Sequence, residues 1–322
     1  MICRVPCDEK SHMYMKAVLF LLIGILGISI NDTIIKFLSD AYALHQLVFI
    51  RAIFGLLIIV PPVLVRYGIA ALRTTRPGVH ALRGLLIVLA NLTFFAGLAS
   101  LPLAEASAVV FVSPVLITTF SHYFLGEHIG GWRWSAVVIG LIGMICVVQP
   151  FGAQLELAFL WPLAAAVCYA GFTVTTRYLG RTEGIASLAI YSIVSFLVVS
   201  VAMGLSVGDG SFANTGNPNL EFLLRAWRWP DSDDLGLIAA IGLLSAVIAI
   251  AMSAAYRAAE ASFLAPFEYA NLPLVLLWGF LIFGDFPNAV ALFGMALIAS
   301  GGMIMIFRER AKGRTATSSF EL

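Results

Sequence analysis

The stretch AAEASFLAPFEYANLPLVLLWGFLIFGD, residues 258–285, is apolar and long enough to cross a bilayer, yet it carries a carboxylate. Glu268 lies about eight residues beyond Glu260, which at ~1.5 Å per residue is about 12 Å deep, near the middle of a ~30 Å hydrocarbon core. Pro266 and Pro273 bracket Glu268, and each removes a helix hydrogen bond. A buried acid beside interrupted backbone is tolerated only where protein or water surrounds it. This stretch therefore predicts a broken span that faces the protein interior.

An earlier stretch repeats this pattern. Residues 103–114 read LAEASAVVFVSP, and the same Ala-Glu-Ala-Ser run precedes a proline in both copies. Each copy ends at Gly followed by an acid. The copies are 155 residues apart at Glu105 and Glu260, and 158 apart at Gly126 and Gly284. An internal repeat of membrane segments, about half a chain long, is typical of transporters.

The composition identifies the class of protein. Hydrophobic residues make up 61% of the 322 residues, charged residues 11%, and the mean hydropathy is +0.97. Soluble domains are about 45–50% apolar and about 25% charged. The chain is therefore expected to be an integral membrane protein. Its four cysteines show no CxxC spacing and are interpreted as incidental thiols.

The apolar runs predict ten membrane spans, and the basic residues orient them. The spans are 16–36, 45–66, 79–99, 103–124, 132–149, 157–178, 185–206, 235–256, 260–283 and 287–307. Of the 19 Lys and Arg residues, only Lys36, Arg225 and Arg228 fall on one side, and Arg51 lies inside a span. The positive-inside rule then places both tails, 1–15 and 308–322, in the cytoplasm.

Five spans per repeat leave the second half inverted relative to the first. The predicted all-α architecture has a first repeat at 16–149, a second at 157–307 and an outer loop at 207–234. Whether that loop serves as a lid stays open. The basic C-terminal tail is interpreted as a stop-transfer cluster, so we expect no nucleic-acid partner.

The sequence carries no recognisable catalytic or metal-binding motif. HExxH, GxSxG, Walker and Rossmann patterns do not occur, and the five histidines have no zinc-ligand spacing. We therefore expect no enzyme activity, no cofactor and no metal. An integral membrane lipid enzyme is a remote alternative, because it needs His and Asp clustered near one membrane face.

Three charged residues near the outer ends of the first two spans form the first candidate site. Asp32 and Lys36 are four residues apart and share a helix face. Arg51 lies about six residues into span 2, at a depth similar to that of Asp32 if the two spans form a hairpin. We predict an Asp32–Arg51 ion pair in an outer gate, with direct substrate contact as the alternative.

The second candidate site is the set of polar residues expected to line a central cavity. The predicted substrate-binding residues are Glu268, Tyr269 and Asn271 of span 9, Asn91 of span 3, and Tyr169 and Thr173 of span 6. A buried carboxylate can exchange protons, bind a substrate ammonium, or form hydrogen bonds with neighbours such as Tyr269 and Asn271. A purely structural role, as polar contacts between helices, is the alternative for each of these residues.

These motifs resemble the drug/metabolite transporter superfamily, EamA type, over nearly the whole chain. The resemblance rests on the two repeated motifs, on Phe-Ile-Arg at 49–51 and on Leu-Arg-Gly-Leu at 82–85. It implies a ten-span carrier with inverted five-helix repeats, in which spans 1, 3, 4, 6, 8 and 9 converge on a cavity. Residues 31–36, 73–84 and 266–269 are also similar to bacterial S-adenosylmethionine uptake carriers and riboflavin importers. The uptake carriers tend to have Pro-Tyr-x-Tyr where this chain has Pro-Phe-Glu-Tyr at 266–269.

Together these features predict a secondary carrier in a bacterial cytoplasmic (inner) membrane. Its substrate would be a small organic metabolite similar to S-adenosylmethionine, riboflavin or an amino acid, moved by alternating access as the two repeats rock. Protons are the candidate coupling ion, and the sequence leaves open whether two copies of the chain form a homodimer. The main alternative is an efflux carrier for amino acids or toxic metabolites. A channel fits less well, because the repeat and the prolines suit rocking halves better than a fixed pore.

Overall fold

A computed structural model describes residues 7–39, 41–100, 109–148, 160–213, 223–278, 281 and 289–318. The helices are α1 (Cys7–Leu38), α2 (Leu44–Tyr67), α3 (Pro77–Ser100), α4 (Ser113–Leu125), α5 (Gly131–Val148), α6 (Leu160–Leu179), α7 (Ile185–Val207), α8 (Leu235–Ala258), α9 (Ala261–Leu264), α10 (Asn271–Trp278) and α11 (Ala289–Ser318). Short 3₁₀ segments lie at Ile69–Leu72, Ser232–Asp234 and Ala265–Ala270. The last of these joins α9 to α10 into one broken span, so the described residues contain ten helical spans.

The helices have the length and the surface of membrane spans. Five of them contain segments that are long and apolar enough to cross a bilayer: Met13–Leu38, Leu44–Tyr67, Pro77–Gly97, Ile185–Val207 and Ser232–Ala258. Large apolar side chains such as Leu57, Val65 and Leu205 point outward and are 63%, 89% and 86% exposed. An outer surface of this kind is stable against lipid and costly in water.

The packing of the helices follows the inverted repeat. α1 packs on α8, and α3 packs on α6. In span numbers the first pair is 1 with 8 and the second is 6 with 3. Adding five to each number of the first pair, counted around ten, gives the second pair, as a pseudo-two-fold axis requires. The other main pairs, α2 with α7 and α5 with α11, map onto themselves. The chain is therefore an all-α membrane protein of two inverted five-helix repeats.

Small residues bring the paired helices close together. A Cβ on Gly143 of α5 would lie 2.7 Å from the carbonyl oxygen of Gly294 on α11. A Cβ on Gly24 of α1 would lie 2.6 Å from Sδ of Met252 on α8. In a bilayer, where apolar burial does not drive association, such backbone contact supplies much of the packing energy.

The outer loop folds back onto the turn between α1 and α2. Tyr42 in that turn donates a hydrogen bond to Asp234 Oδ2 at 2.6 Å and accepts one from the Asp231 amide at 2.9 Å. Arg225 donates to the Ser39 carbonyl at 2.7 Å. The Trp227 ring lies 5.1 Å from that of Phe49, measured between centroids. Residues 214–222 of the loop, like the first Ala-Glu-Ala-Ser run and the Gly284–Asp285 pair, lie outside the described residues.

The ninth span is broken around Glu268, where the sequence predicts an interruption. Pro266 opens the 3₁₀ segment Ala265–Ala270, which contains Glu268 and Tyr269. Regular helix resumes at Asn271. The break displaces the Glu268 side chain from the register of a continuous helix, and it lies in the protein interior with 7% of its surface exposed.

Candidate binding cavity

A cavity of about 600 Å³ lies among the helices of both repeats. Its wall is drawn from α1, α2, α3, α4, α6, α7, α8 and the broken ninth span. This volume is in the usual range of small-molecule sites. Much of the wall is apolar, but it also includes the charged residues Asp32, Lys36, Arg51, Arg83 and Glu268 and the polar residues Ser29, Asn31, Asn91, Tyr169 and Asn271.

Glu268 is held by two phenol groups from neighbouring helices. Tyr169 of α6 donates its hydroxyl toward both carboxylate oxygens, at 3.1 and 3.0 Å. Tyr256 of α8 donates to Oε1 of the same carboxylate. Within the described part of the chain, no Lys, Arg or His side chain pairs with Glu268. The carboxylate is thus oriented by neutral donors and has no built-in counterion.

Arg83 of α3 lies in the cavity wall, on the helix that packs against α6 and α7 of the second repeat. Its Nε donates to Thr176 Oγ1 at 2.6 Å, and its Nη1 donates to the Leu188 carbonyl at 2.8 Å. The guanidinium carbon lies 4.6 Å from the centroid of the Phe172 ring. The side chain is 1% exposed, and Nη2 is buried with no hydrogen-bond partner among the described residues.

Sequence reasoning missed Arg83 as a cavity residue. The positive-inside rule counts Arg83 among the basic residues at the cytoplasmic end of span 3, because charged residues near a span end usually reach water. The available signal was its position: Arg83 is the seventh residue of α3, about 9 Å along the helix from Pro77. At that depth an arginine needs protein partners, and Thr176 and Leu188 supply two of them.

Asp32 and Arg51 attract each other at longer range, but they do not form the direct ion pair that the sequence predicts. Both side chains line the cavity, but no Asp32–Arg51 contact within 4.0 Å is present between these described residues. Asp32 accepts a hydrogen bond from Asn31 Nδ2 at 3.2 Å, and the Arg51 guanidinium lies 4.8 Å from the Phe196 ring centroid. The prediction assumed that spans 1 and 2 form a packed hairpin. Instead α1 packs mainly on α8, and α2 packs mainly on α7 and α8.

Seven of the nine predicted site residues line the cavity, and two do not. Asp32, Lys36, Arg51, Asn91, Tyr169, Glu268 and Asn271 are in its wall. Tyr269 points away and fills the space over Gly140 of α5, where a Cβ would lie 2.3 Å from its ring. Thr173 is fully buried and donates its hydroxyl to the Ala170 carbonyl at 2.9 Å. The predicted Glu268 network with Tyr269 and Asn271 is replaced by the two phenols of Tyr169 and Tyr256.

One end of the molecule is closed by a carboxylate that joins the two repeats. Glu127, in the turn between α4 and α5, accepts hydrogen bonds from the amides of Ala261 and Ser262 at 3.2 and 3.0 Å, and from Ser262 Oγ at 2.7 Å. Arg177 Nε lies 3.6 Å from the same carboxylate. Arg133 forms an ion pair with Glu260. The Gly-Glu motif that ends span 4 therefore caps the start of span 9.

A second set of contacts at the same end joins the loops between α2 and α3 and between α6 and α7. Thr74 Oγ1 donates to the Glu183 carboxylate at 2.7 Å, and Arg257 Nε donates to the Glu183 carbonyl at 3.0 Å. The cavity lies away from this end. Its wall on α1 runs from Ile25 to Lys36 and leaves out the N-terminal part of the helix.

Comparison with known proteins gives consistent matches. Residues 15–149 match the EamA-like transporter family. A riboflavin transporter of Rhizobium johnstonii is 32% identical over 253 residues, covering 79% of this chain and 78% of that protein. An S-adenosylmethionine uptake transporter of Rickettsia prowazekii is 26% identical over 303 residues, covering 94% and 96%. A crystal structure covers 94% of this chain with a TM-score of 0.73 and 18% identity, which supports the fold.

Proposed function

The chain belongs to the EamA-like transporter family, a family of transporters of small molecules, and on that premise we propose that it imports an organic metabolite through the cavity described above. The observation that carries the proposal is the cavity itself. It combines an apolar wall with charged groups of both signs, is built from both repeats, and is separated from one end of the molecule by cross-repeat contacts. This is the arrangement that alternating access requires.

The binding residues in this proposal are the polar groups that face the cavity. Glu268 and Tyr169 hold a polar or cationic part of the metabolite, and Asn91 and Asn271 supply further hydrogen bonds. Asp32, Lys36 and Arg51 lie on the side of the cavity nearer the end of α1, where they first meet an incoming substrate. Tyr269 and Thr173 support the wall from behind.

In the orientation that we propose, the closed end of the molecule is the cytoplasmic end, and import is a further part of the proposal. Both tails are assigned to the cytoplasm of a bacterial inner membrane, on the basis of the distribution of Lys and Arg. The end closed by Glu127 and Glu183 then faces the cytoplasm, and the cavity is loaded from outside. Opening of the Glu127 cap releases the substrate inward.

Proton coupling is part of the proposal, with Glu268 as the proton carrier. Its carboxylate is buried, is bonded to phenols and faces the substrate cavity. A proton bound to one oxygen leaves the other oxygen free to accept a hydrogen bond from the substrate, so a proton and the metabolite can occupy the site together. Their joint movement inward couples uptake to the proton gradient.

The test is uptake of labelled S-adenosylmethionine, riboflavin and a mixture of amino acids into cells that express the chain, with and without a protonophore. We expect accumulation of one of these compounds, abolished by the protonophore. Glu268→Gln is expected to abolish accumulation at unchanged protein level in the membrane, while Glu260→Gln, at a partly exposed carboxylate, retains it. No accumulation, together with faster loss from preloaded cells, would show an exporter instead. Undiminished uptake by Glu268→Gln would remove the proposed proton and substrate role of that residue.

A further inference from the structure

We propose that the cavity selects a zwitterion, with Arg83 holding the anionic group of the metabolite and Glu268 holding its cationic group. This inference rests on the proposed function and adds the chemical class of its substrate. It is carried by buried polar atoms of residues that line the cavity, which have no hydrogen-bond partner among the described residues.

The first of these atoms is Nη2 of Arg83. The other donors of this guanidinium are directed by Thr176 and Leu188, and the Phe172 ring lies against the guanidinium. The group is therefore held in one orientation, with its remaining nitrogen unused. No carboxylate contacts Arg83 in the described ranges. A buried guanidinium without a counterion is costly unless a ligand supplies one, and a carboxylate can accept a charge-assisted hydrogen bond from Nη2.

The second charged group is the Glu268 carboxylate, which would bind a cation where Arg83 would bind an anion. Glu268 is a buried carboxylate whose protein partners, Tyr169 and Tyr256, are neutral. Each carboxylate oxygen has capacity for more than one hydrogen bond, so an ammonium group or another cation can approach it from the cavity. Neither Arg83 nor Glu268 neutralises the other, because each is engaged by its own set of neighbours.

Neutral polar atoms belong to the same cavity wall as these two charges. Oγ of Ser29, Oδ1 of Asn31 and Oδ1 of Asn271 are buried without hydrogen-bond partners in the described structure, and all three residues line the cavity. Buried polar atoms of this kind are rare unless something else satisfies them. The two amide oxygens accept hydrogen bonds and the Ser29 hydroxyl can accept one, so together they favour a ligand that brings N–H groups.

The spacing of the two charges sets the size of the ligand. Tyr169, which holds Glu268, and Thr176, which holds Arg83, are seven residues apart on α6, or about 10 Å along the helix axis. Phe172 lies between them and presents an apolar ring to the cavity. The fitting ligand is an elongated zwitterion whose carboxylate and cationic group are separated by several bonds. A neutral heterocycle would leave Arg83 unpaired.

The test compares ligands that differ only in the carboxylate. Purified full-length protein in lipid nanodiscs is titrated by calorimetry with S-adenosylmethionine, with decarboxylated S-adenosylmethionine and with riboflavin. We expect the carboxylate to tighten binding at least tenfold, as one charge-assisted contact to Nη2 does. Arg83→Gln is expected to remove this preference. The control is Arg66→Gln on the exposed surface of α2, which should keep it.

A preference of the same size in Arg83→Gln would overturn the assignment of the anion site. So would riboflavin binding that exceeds binding of both charged ligands. If Arg83→Gln does not fold, Arg83→Lys keeps the charge but has a single nitrogen that must serve Thr176, Leu188 and the ligand, so its preference for the carboxylate must then fall. In cells, uptake of any metabolite by the wild type supports the proposed function even if this site fails. Absence of both binding and transport counts against the function itself.

Discussion

Glu127 offers the sharpest test of how one end of the molecule stays closed. Its carboxylate accepts three hydrogen bonds from Ala261 and Ser262, and Arg177 lies 3.6 Å away. In Glu127→Gln the side chain keeps one oxygen and places an amide nitrogen against the remaining donors. Hydrogen bonds to charged groups contribute about 1.5–3 kcal/mol each, and about half of these interactions survive. We therefore expect the closed arrangement to lose at least about 2 kcal/mol, the lower end of this range.

That loss has a measurable effect on the populations of the two arrangements. A change of about 2 kcal/mol shifts the equilibrium between closed and open roughly 30-fold. The reporter is Ser245→Cys, at a partly exposed position in the cavity wall, in a background whose four native cysteines are replaced by serine. Labelling by a membrane-impermeant thiol reagent from the side that carries the tails should rise by that factor in Glu127→Gln, and labelling from the other side should fall.

The matched control is Glu260→Gln. Glu260 belongs to the same network through its ion pair with Arg133, but its side chain is 34% exposed, so solvent screens the pair. Removal of the Glu260 charge should change the labelling of the reporter cysteine by no more than a few fold. Equal labelling of the wild type and Glu127→Gln, with both proteins folded and monodisperse, would refute the idea that this cap holds the end closed.

Three further predictions concern other contacts. Tyr169→Phe removes the phenol that bridges both oxygens of Glu268 and should raise the KM for uptake about tenfold with little change in protein level, as measured by initial rates. Gly143→Ala inserts a methyl group 2.7 Å from the α11 backbone and should lower the melting temperature in detergent by several degrees, whereas Gly130→Ala, with open space around it, should not. Tyr42→Phe should cost about 1 kcal/mol in melts. Burial raises the pKa of Tyr42, so its contribution to stability is fully present below its unfolded pKa of about 10 and is lost only at higher pH; the cost should be constant between pH 6 and 9.

Local sequence was enough to predict the membrane class, the spans and the inverted repeat. Apolar runs of about 20 residues have one stable environment, and five spans per repeat force the second half to be upside down. The broken span around Glu268 was also predictable, because Pro266 removes a backbone hydrogen bond wherever it lies in a helix. These features depend on composition and spacing along the chain, and no distant residue is needed to produce them.

The partners of the charged residues were decided by the tertiary structure. Asp32 and Arg51 face one cavity without direct contact, because α1 and α2 each pack on helices of the other repeat rather than on each other. Arg83 turns inward because Thr176 and Leu188, about 100 residues away, accept its hydrogen bonds.

The tertiary packing of the helices also determines which residues Tyr269 and Glu127 contact. Tyr269 leaves the cavity because Gly140 on another helix provides room for its ring. Glu127 becomes a cap only where the start of the ninth span meets the turn after the fourth. Helical periodicity determines which residues share a face of one helix, but the neighbour of that face is set by how ten helices pack. In this protein the sequence by itself determined where the polar groups lie along each span, and the packing of the two repeats decided which of them meet.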